Sequence, residues 1–344
     1  MSNPQHVKGF EPTRPRLAQY SEAVATLWTY PAFGRLWTGL AISRLGDQFT
    51  MIALLWFVLQ LTGSGAAVGL VILCFDLPAL VTGPLLGMIL DRYQPRTVMG
   101  LDNAARAGII AAMPVLYWLG VLQFWHIVLL SLAAGALQPA TLVGVRTYLP
   151  HLVPDPELNR ANTLLVGNLQ LASLIGPALA GALVAISGGP TILLLDALSF
   201  VIMAVIAFRL PKVARERAVT STHQERSWLG FGPMLRMPDV RALTLLSVIF
   251  FLAYGPLVPA VPVYAETVLQ AGAAGYGLLW SGYGVGAVLG LLLVERVSRL
   301  SKPGVTLAMI AVLWGAFLLP LVVIQSLPLA MFFLALGGVA WVPY

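Results

Sequence analysis

GAAVGLVILCFDLPALVTGPLLGMILDRYQPRT, residues 65–97, is the stretch whose reading decides the fold class. Between Gly65 and Leu90 it holds one charged side chain, Asp76, and then turns abruptly into Asp91, Arg92 and Arg96. A helix rises about 1.5 Å per residue, so about 20 apolar residues cross roughly 30 Å of hydrocarbon. An apolar run of this length that ends on arginines reads as a membrane helix meeting a cytoplasmic loop.

Carried outward, the same template finds ten spans, near residues 37–60, 68–90, 97–117, 124–147, 161–186, 190–209, 241–264, 275–294, 304–324 and 329–344. Composition agrees. The 344 residues are 58% hydrophobic and 10% charged, with a mean hydropathy of +0.85, whereas a soluble domain carries about 25% charged residues. Charge placement tests the count independently. Of 20 Lys and Arg, only Arg44 and Arg106 fall well inside spans; the other eighteen lie before the first span or after the second, fourth, sixth and eighth, or at the edges of those segments. The intervening loops, near 61–67, 118–123, 187–189, 265–274 and 325–328, hold no Lys or Arg. One missed span would swap sides for everything downstream, so the alternation predicts a multi-pass protein of the cell membrane with a cytoplasmic amino terminus.

These features exclude several function classes. The net charge of +6 is spread as single arginines between apolar runs, not as a basic stripe, so nucleic acid is not an expected partner. The single cysteine, Cys74, and four scattered histidines show no ligand spacing, so neither metal nor cofactor is expected. No glycine loop with Lys-Ser or Lys-Thr is present to bind ATP, and no His, Asp or Ser cluster suggests an enzyme.

The spans divide into a cytoplasmic amino-terminal segment (1–30), a six-helix bundle (31–209), a polar cytoplasmic linker (210–240) with a short surface helix over Trp228–Leu235, and an incomplete second bundle of about four helices (241–344). A faint repeat relates the halves. Gly65–Leu70 resembles Gly272–Leu278, and Gly87–Arg92 resembles Gly290–Arg296, at equivalent places in the topology. The chain stops at Tyr344, within the tenth span; the reading expects a fragment of a twelve-helix protein, with a naturally truncated product as the alternative.

Intramembrane charges are the best functional candidates, because a carboxylate in hydrocarbon is costly unless paired or facing a wet cavity. Asp47 lies three residues from Arg44, as a local ion pair or a cavity-facing proton carrier. Asp76 sits midway along the second span, just before Pro78, with no local partner. Asp102 and Arg106, spaced i, i+4, suit a structural pair. Asp196 and Glu266 fall toward the outer ends of their spans, where they would meet water. Tyr254, Pro256, Pro259 and Pro262 break the seventh span, as expected of backbone lining a cavity.

Arg35-Leu36-Trp37, Ser43-Arg44-Leu45-Gly46-Asp47, Leu61-Thr62-Gly63-Ser64, Asp91-Arg92 and Leu158-Asn159-Arg160-Ala161-Asn162, in this order and loop placement, resemble the major facilitator superfamily. The branch they are most similar to is that of enterobactin exporters and macrolide efflux pumps. The resemblance implies an all-α fold of six plus six helices around a central cavity. It also implies export of a small organic molecule (a drug or siderophore-like compound) by alternating access, with proton antiport as the driving exchange. A nutrient-uptake carrier and a non-transporting receptor are the alternatives. Gly87, Asp91, Arg92 and Arg96 match the family's gating-loop motif, with Gln94 in place of a glycine. Gly87 would allow close backbone approach, and Asp91 would accept from Arg96 or sit at a helix amino terminus. Gly167, Gly176, Pro177 and Gly181 look like the family's kinked antiporter helix, with Ala172 at one glycine position. The helix 4 arginine of many proton-coupled drug antiporters would fall near Ser131 and is missing. The partners this reading implies are the lipid bilayer, a small-molecule substrate and protons.

Overall fold

The computed structural model describes residues 26–213, 237–298 and 303–341. The expected amino-terminal segment falls largely outside the described residues, and the Trp228–Leu235 helix wholly so. Among the described residues the chain is α-helical, with short 3-10 turns and no strand.

Six spans form the first bundle: α1 (Pro31–Thr62), α2 (Gly65–Arg92), α3 (Pro95–Trp118), the broken pair α4 (Phe124–Leu137) and α5 (Pro139–Tyr148), α6 (Leu158–Ser187) and α7 (Gly189–Arg209). The second bundle has the broken pair α8 (Pro238–Tyr254) and α9 (Leu257–Thr267), then α10 (Gly272–Ser298), α11 (Pro303–Leu318) and α12 (Leu327–Trp341). Local chemistry sets the ends. Gly63, in the left-handed region at φ 63°, stops α1 and donates its N–H to the Leu59 carbonyl at 2.7 Å. Ser64 then caps α2, its Oγ accepting from the Ala67 N–H at 3.3 Å. Pro139 cannot donate to a preceding turn, so the fourth span breaks at Gln138. Gly255-Pro256 breaks the seventh, as the proline cluster predicts.

Among the described residues, eight helical segments are long and apolar enough to cross a membrane. The two remaining predicted spans are helical as well. α12 has only 15 described residues. α3 loses apolarity to Asp102, Asn103 and Arg106, all three buried inside the bundle. That burial is what a helix shielded from lipid permits.

α1 is the axis of the first bundle. It packs along α6 and α7, and α7 in turn lies along α3, while α2 pairs with α4 and α5. Every side chain from Ile52 to Leu59 is buried, so this stretch of the helix is apolar all round and enclosed by protein. α2 is the opposite case. Only 11% of its apolar window is buried, and Leu73, Leu77, Leu80 and Val81 stand exposed. Lipid tails are as apolar as these leucines, so such a face carries no penalty in a bilayer. Close approach depends on missing side chains. A Cβ on Gly135 would run into the Phe75 carbonyl oxygen where α4 meets α2. In the second bundle α10 packs on α12, and α12 on α11; the two bundles meet where α10 runs along α6 and α9 lies beside α2.

Candidate functional site

A cavity of about 510 Å³ opens between the bundles. α1 contributes Arg44, Asp47 and Gln48; α2 contributes Phe75 and Asp76; the break in the fourth span contributes Gln138; and α6 contributes Gln170 and Ser173. The facing wall is aromatic: Tyr254 at the break in the seventh span, Trp280 and Tyr283 on α10, and Trp341 on α12. Tyr254 stacks on Trp341 at 5.0 Å between ring centroids, and Trp280 meets Tyr283 edge-on at 5.7 Å. Trp280 Nε1 and Tyr283 Oη are buried; the Tyr276 hydroxyl and the Trp314 indole are their polar neighbours, short of full hydrogen-bond geometry. All four pathway candidates read from the sequence, Arg44, Asp47, Asp76 and Tyr254, therefore line one space.

The ion pairs differ from those the spacing suggested. Asp47 Oδ1 accepts from Arg106 Nη2 of α3 at 3.0 Å, while Arg44 and Asp102, the neighbours the spacing offered, act on this pair only electrostatically. The reason is geometric. The Arg106 side chain points into the bundle, 5% exposed, with its guanidinium carbon 4.1 Å from the Phe200 ring centroid. Asp47 stands 42% exposed at the cavity edge and is the acidic oxygen that guanidinium reaches. Asp102 instead accepts from the Thr141 hydroxyl at 2.5 Å, and its Oδ1 is buried without a partner among the described residues.

Asp196 is the larger correction. It does not meet water: it is fully buried, two turns into α7, accepting from Thr50 at 2.5 Å and Ser199 at 2.8 Å. Gly46 on α1 makes room, since a Cβ there would strike the Asp196 carboxylate. The sequence signal for this site was the Gly46-Asp47 pair itself, a small residue beside an acid on a helix meant for close packing. Glu266 is exposed, as expected.

The loop after α2 also departs from expectation. Nothing lies within 4 Å of a Cβ built on Gly87, so it makes no close approach to a described residue. Asp91 sits in the last turn of α2, not at a helix amino terminus, with Arg92 ending the same helix. Arg96 Nη1 donates to the carbonyls of Phe208, at 3.1 Å, and Leu210, at 2.9 Å, where the end of α7 leaves carbonyls unpaired. Gln94, the departure from the family pattern, clasps Val213 in both directions: its Nε2 donates to the Val213 carbonyl at 3.0 Å and its Oε1 accepts from the Val213 N–H at 3.2 Å. Tyr148 Oη donates to the Pro211 carbonyl as well. Among the described residues, the loop thus fastens the exit of the first bundle.

α6 runs as one helix, Leu158–Ser187, through Pro177. Pro177 has no N–H to give the Ser173 carbonyl. That carbonyl lies against Gly284 of α10, where an added Cβ would come within 2.9 Å of it. Gly176 faces Gln48 of α1, whereas Gly181 faces Gly277 and the Ala273 carbonyl of α10. One helix thereby touches both bundles through small residues. Gly167 faces open space.

Residues 36–344 match a family model described as Major Facilitator Superfamily. Three relatives share part of the chain. An uncharacterized MFS-type transporter, y4rN, of Sinorhizobium fredii is 28% identical over 272 residues, covering 78% of this chain and 66% of its own. The multidrug efflux pump Tap of Mycolicibacterium fortuitum is 25% identical, covering 87% and 75%. Macrolide efflux protein A of Streptococcus pyogenes is 23% identical, covering 65% and 56%. The matched region thus spans between about half and three quarters of these relatives. A crystal structure described as a bacterial homolog to the human lysosomal transporter Spinster, inward-facing and occupied, superposes with a TM-score of 0.66 at 14% identity, over 91% of this chain and 71% of that one.

Proposed function

Because this chain belongs to the Major Facilitator Superfamily, and is a multi-pass membrane transporter rather than an enzyme, we propose that it acts in the export of a small organic molecule by alternating access, driven by proton exchange. The observation that carries the reading is the cavity between the bundles, into which α1, α2, α6 and the second bundle all project side chains. A substrate there would be exposed to either face by rocking 31–209 against 241–344 about the α6–α10 contact. Those domain limits, and the 210–240 linker as their hinge, belong to the same proposal. Asp47 is the proposed proton carrier, since it alone among the acids joins the cavity to the buried Arg106. Gly87, Asp91, Arg92 and Arg96 are proposed to hold the first bundle's exit during rocking, and Gly176, Pro177 and Gly181 to form the bearing. Basic residues confined to alternate loops support a cytoplasmic membrane location with the amino terminus inside.

The test uses inverted membrane vesicles energised by respiration, with a fluorescent reporter of the proton gradient. At least one of erythromycin, ethidium and norfloxacin, added singly, should dissipate the gradient in vesicles containing the chain and not in vesicles without it. If no compound does so and none shows counterflow in liposomes, the exporter reading fails, and a receptor role takes its place.

A further inference from the structure

We infer that the cavity takes an amphoteric aromatic molecule, holding its acidic group on Arg44 and its basic group on Asp76. The inference rests on the proposed reading of this cavity as the substrate site. Arg44 is half-buried on α1 and has no hydrogen bond or ion pair among the described residues; the charge nearest along its own helix is Asp47, one turn on. Asp47 is already committed to Arg106 at 3.0 Å. The cavity wall formed by α1 therefore carries a guanidinium that Asp47, one turn on, influences electrostatically while giving its hydrogen bond to Arg106. Its five donors form a planar fork that matches a carboxylate in two parallel hydrogen bonds. An intramembrane guanidinium left in that state is a place for a ligand's negative group.

The opposite pole is on α2. Asp76 is exposed to the cavity and likewise has no hydrogen bond or ion pair among the described residues. It lies within electrostatic reach of Tyr254, whose ring is stacked on Trp341. Ring faces attract cations, so a carboxylate beside stacked aromatics suits a protonated amine. The same cavity is lined by Trp280 and Tyr283, broad apolar surfaces set edge to face. At about 510 Å³ the space suits a molecule of fused-ring size. A simple cation would satisfy Asp76 but face Arg44 with like charge; a simple anion would do the reverse. Only a ligand bearing both groups pairs both walls.

Isothermal titration calorimetry of the purified 344-residue protein in detergent tests this with three matched probes: an aminomethyl-naphthoate, naphthoate and naphthylmethylamine. The zwitterion should bind about tenfold or more tightly than either singly charged probe. Arg44→Gln should erase its advantage over the amine, and Asp76→Asn its advantage over the acid. Arg44→Lys, which keeps the charge without the fork, should retain part of the advantage if Arg44→Gln does not fold. An amine that binds as tightly as the zwitterion in the unaltered protein would overturn the inference, as would no binding of any probe. Because binding is read without transport, zwitterion preference with no proton movement in vesicles would sink the exporter reading alone. Drug-driven proton movement without that preference would sink the ligand assignment alone.

Discussion

Neutralising Asp47 should cost little by itself and much when Asp102 is neutralised too. Arg106 is buried and forms its ion pair with Asp47, at 3.0 Å. Asp102 lies one turn earlier on the same helix, inside the bundle, with Oδ1 unpartnered among the described residues. In Asp47→Asn the guanidinium can turn toward that oxygen, so about 1 kcal/mol of stability is expected to go, within the range of a rearranged hydrogen bond. Asp102→Asn, which leaves the Asp47 pair intact, should also cost about 1 kcal/mol. The double substitution leaves a buried cation with neither acid, and breaking a buried pair costs about 3–5 kcal/mol. Asn keeps the shape of Asp, so the excess over the sum, about 2 kcal/mol, reports charge and not volume. At roughly 2 °C per kcal/mol for a chain of this size, each single variant should lower Tm in detergent by about 2 °C and the double by about 8 °C. If Asp47→Asn alone falls as far as the double, Arg106 has no second acceptor and the reasoning is wrong. Equal and additive losses would refute it in the other direction.

Further outcomes are expected of other parts of the fold. Asp47→Asn should abolish drug-dependent proton movement in inverted vesicles while leaving probe binding measurable; undiminished movement would remove Asp47 from the mechanism. Arg96→Ala deletes two charge-assisted hydrogen bonds to the end of α7 and should cost about 2–4 kcal/mol, read as a fall in the denaturation midpoint. Gly135→Val should prevent accumulation of folded protein, because its side chain would occupy the place of the Phe75 carbonyl, whereas Gly87→Ala, in open space, should shift Tm by less than about 1 °C. Gly277→Leu should part α6 from α10 and end proton movement, with the first bundle's protease resistance kept.

The helices were legible in the sequence because a bilayer imposes one strong rule on them: apolar length. The runs near 68–90 and 190–209 could be nothing else, and the structure places α2 and α7 there. The break at Gly255-Pro256 was equally legible, since Pro256, Pro259 and Pro262 together leave few ways to continue a helix. The break at Gln138 went unread although Pro139 announced it. A single proline is tolerated inside α2, α3 and α6, and only the neighbours decide whether the helix stops. Partners across helices were not legible at all. Spacing along one helix offered Asp102 to Arg106 and Arg44 to Asp47, yet the actual pair joins α1 to α3 over 59 positions.

That failure has a physical cause that also locates the site. Lipid demands uniform apolar surface, so any helix that deviates must turn its polar side chains toward other protein or toward water. α3 deviates most and falls short of the apolarity of the eight clear spans. Its Asp102, Asn103 and Arg106 are buried against Thr141, Asp47 and Phe200, behind the cavity wall. Hydropathy thus undervalues the helix that organises the charges, and pair spacing misjudges it, because its polar groups exist to meet other helices. The same logic applies to Asp196, which had seemed to belong to the membrane surface. Its two hydroxyl partners, with Gly46 opposite, bind α7 to α1 immediately beside Asp47. On the proposed reading, a proton taken up by Asp47 would loosen the tie of α1 to α3 through Arg106 and leave its tie to α7 through Asp196, a mechanical route from the cavity to movement of α1 within its bundle.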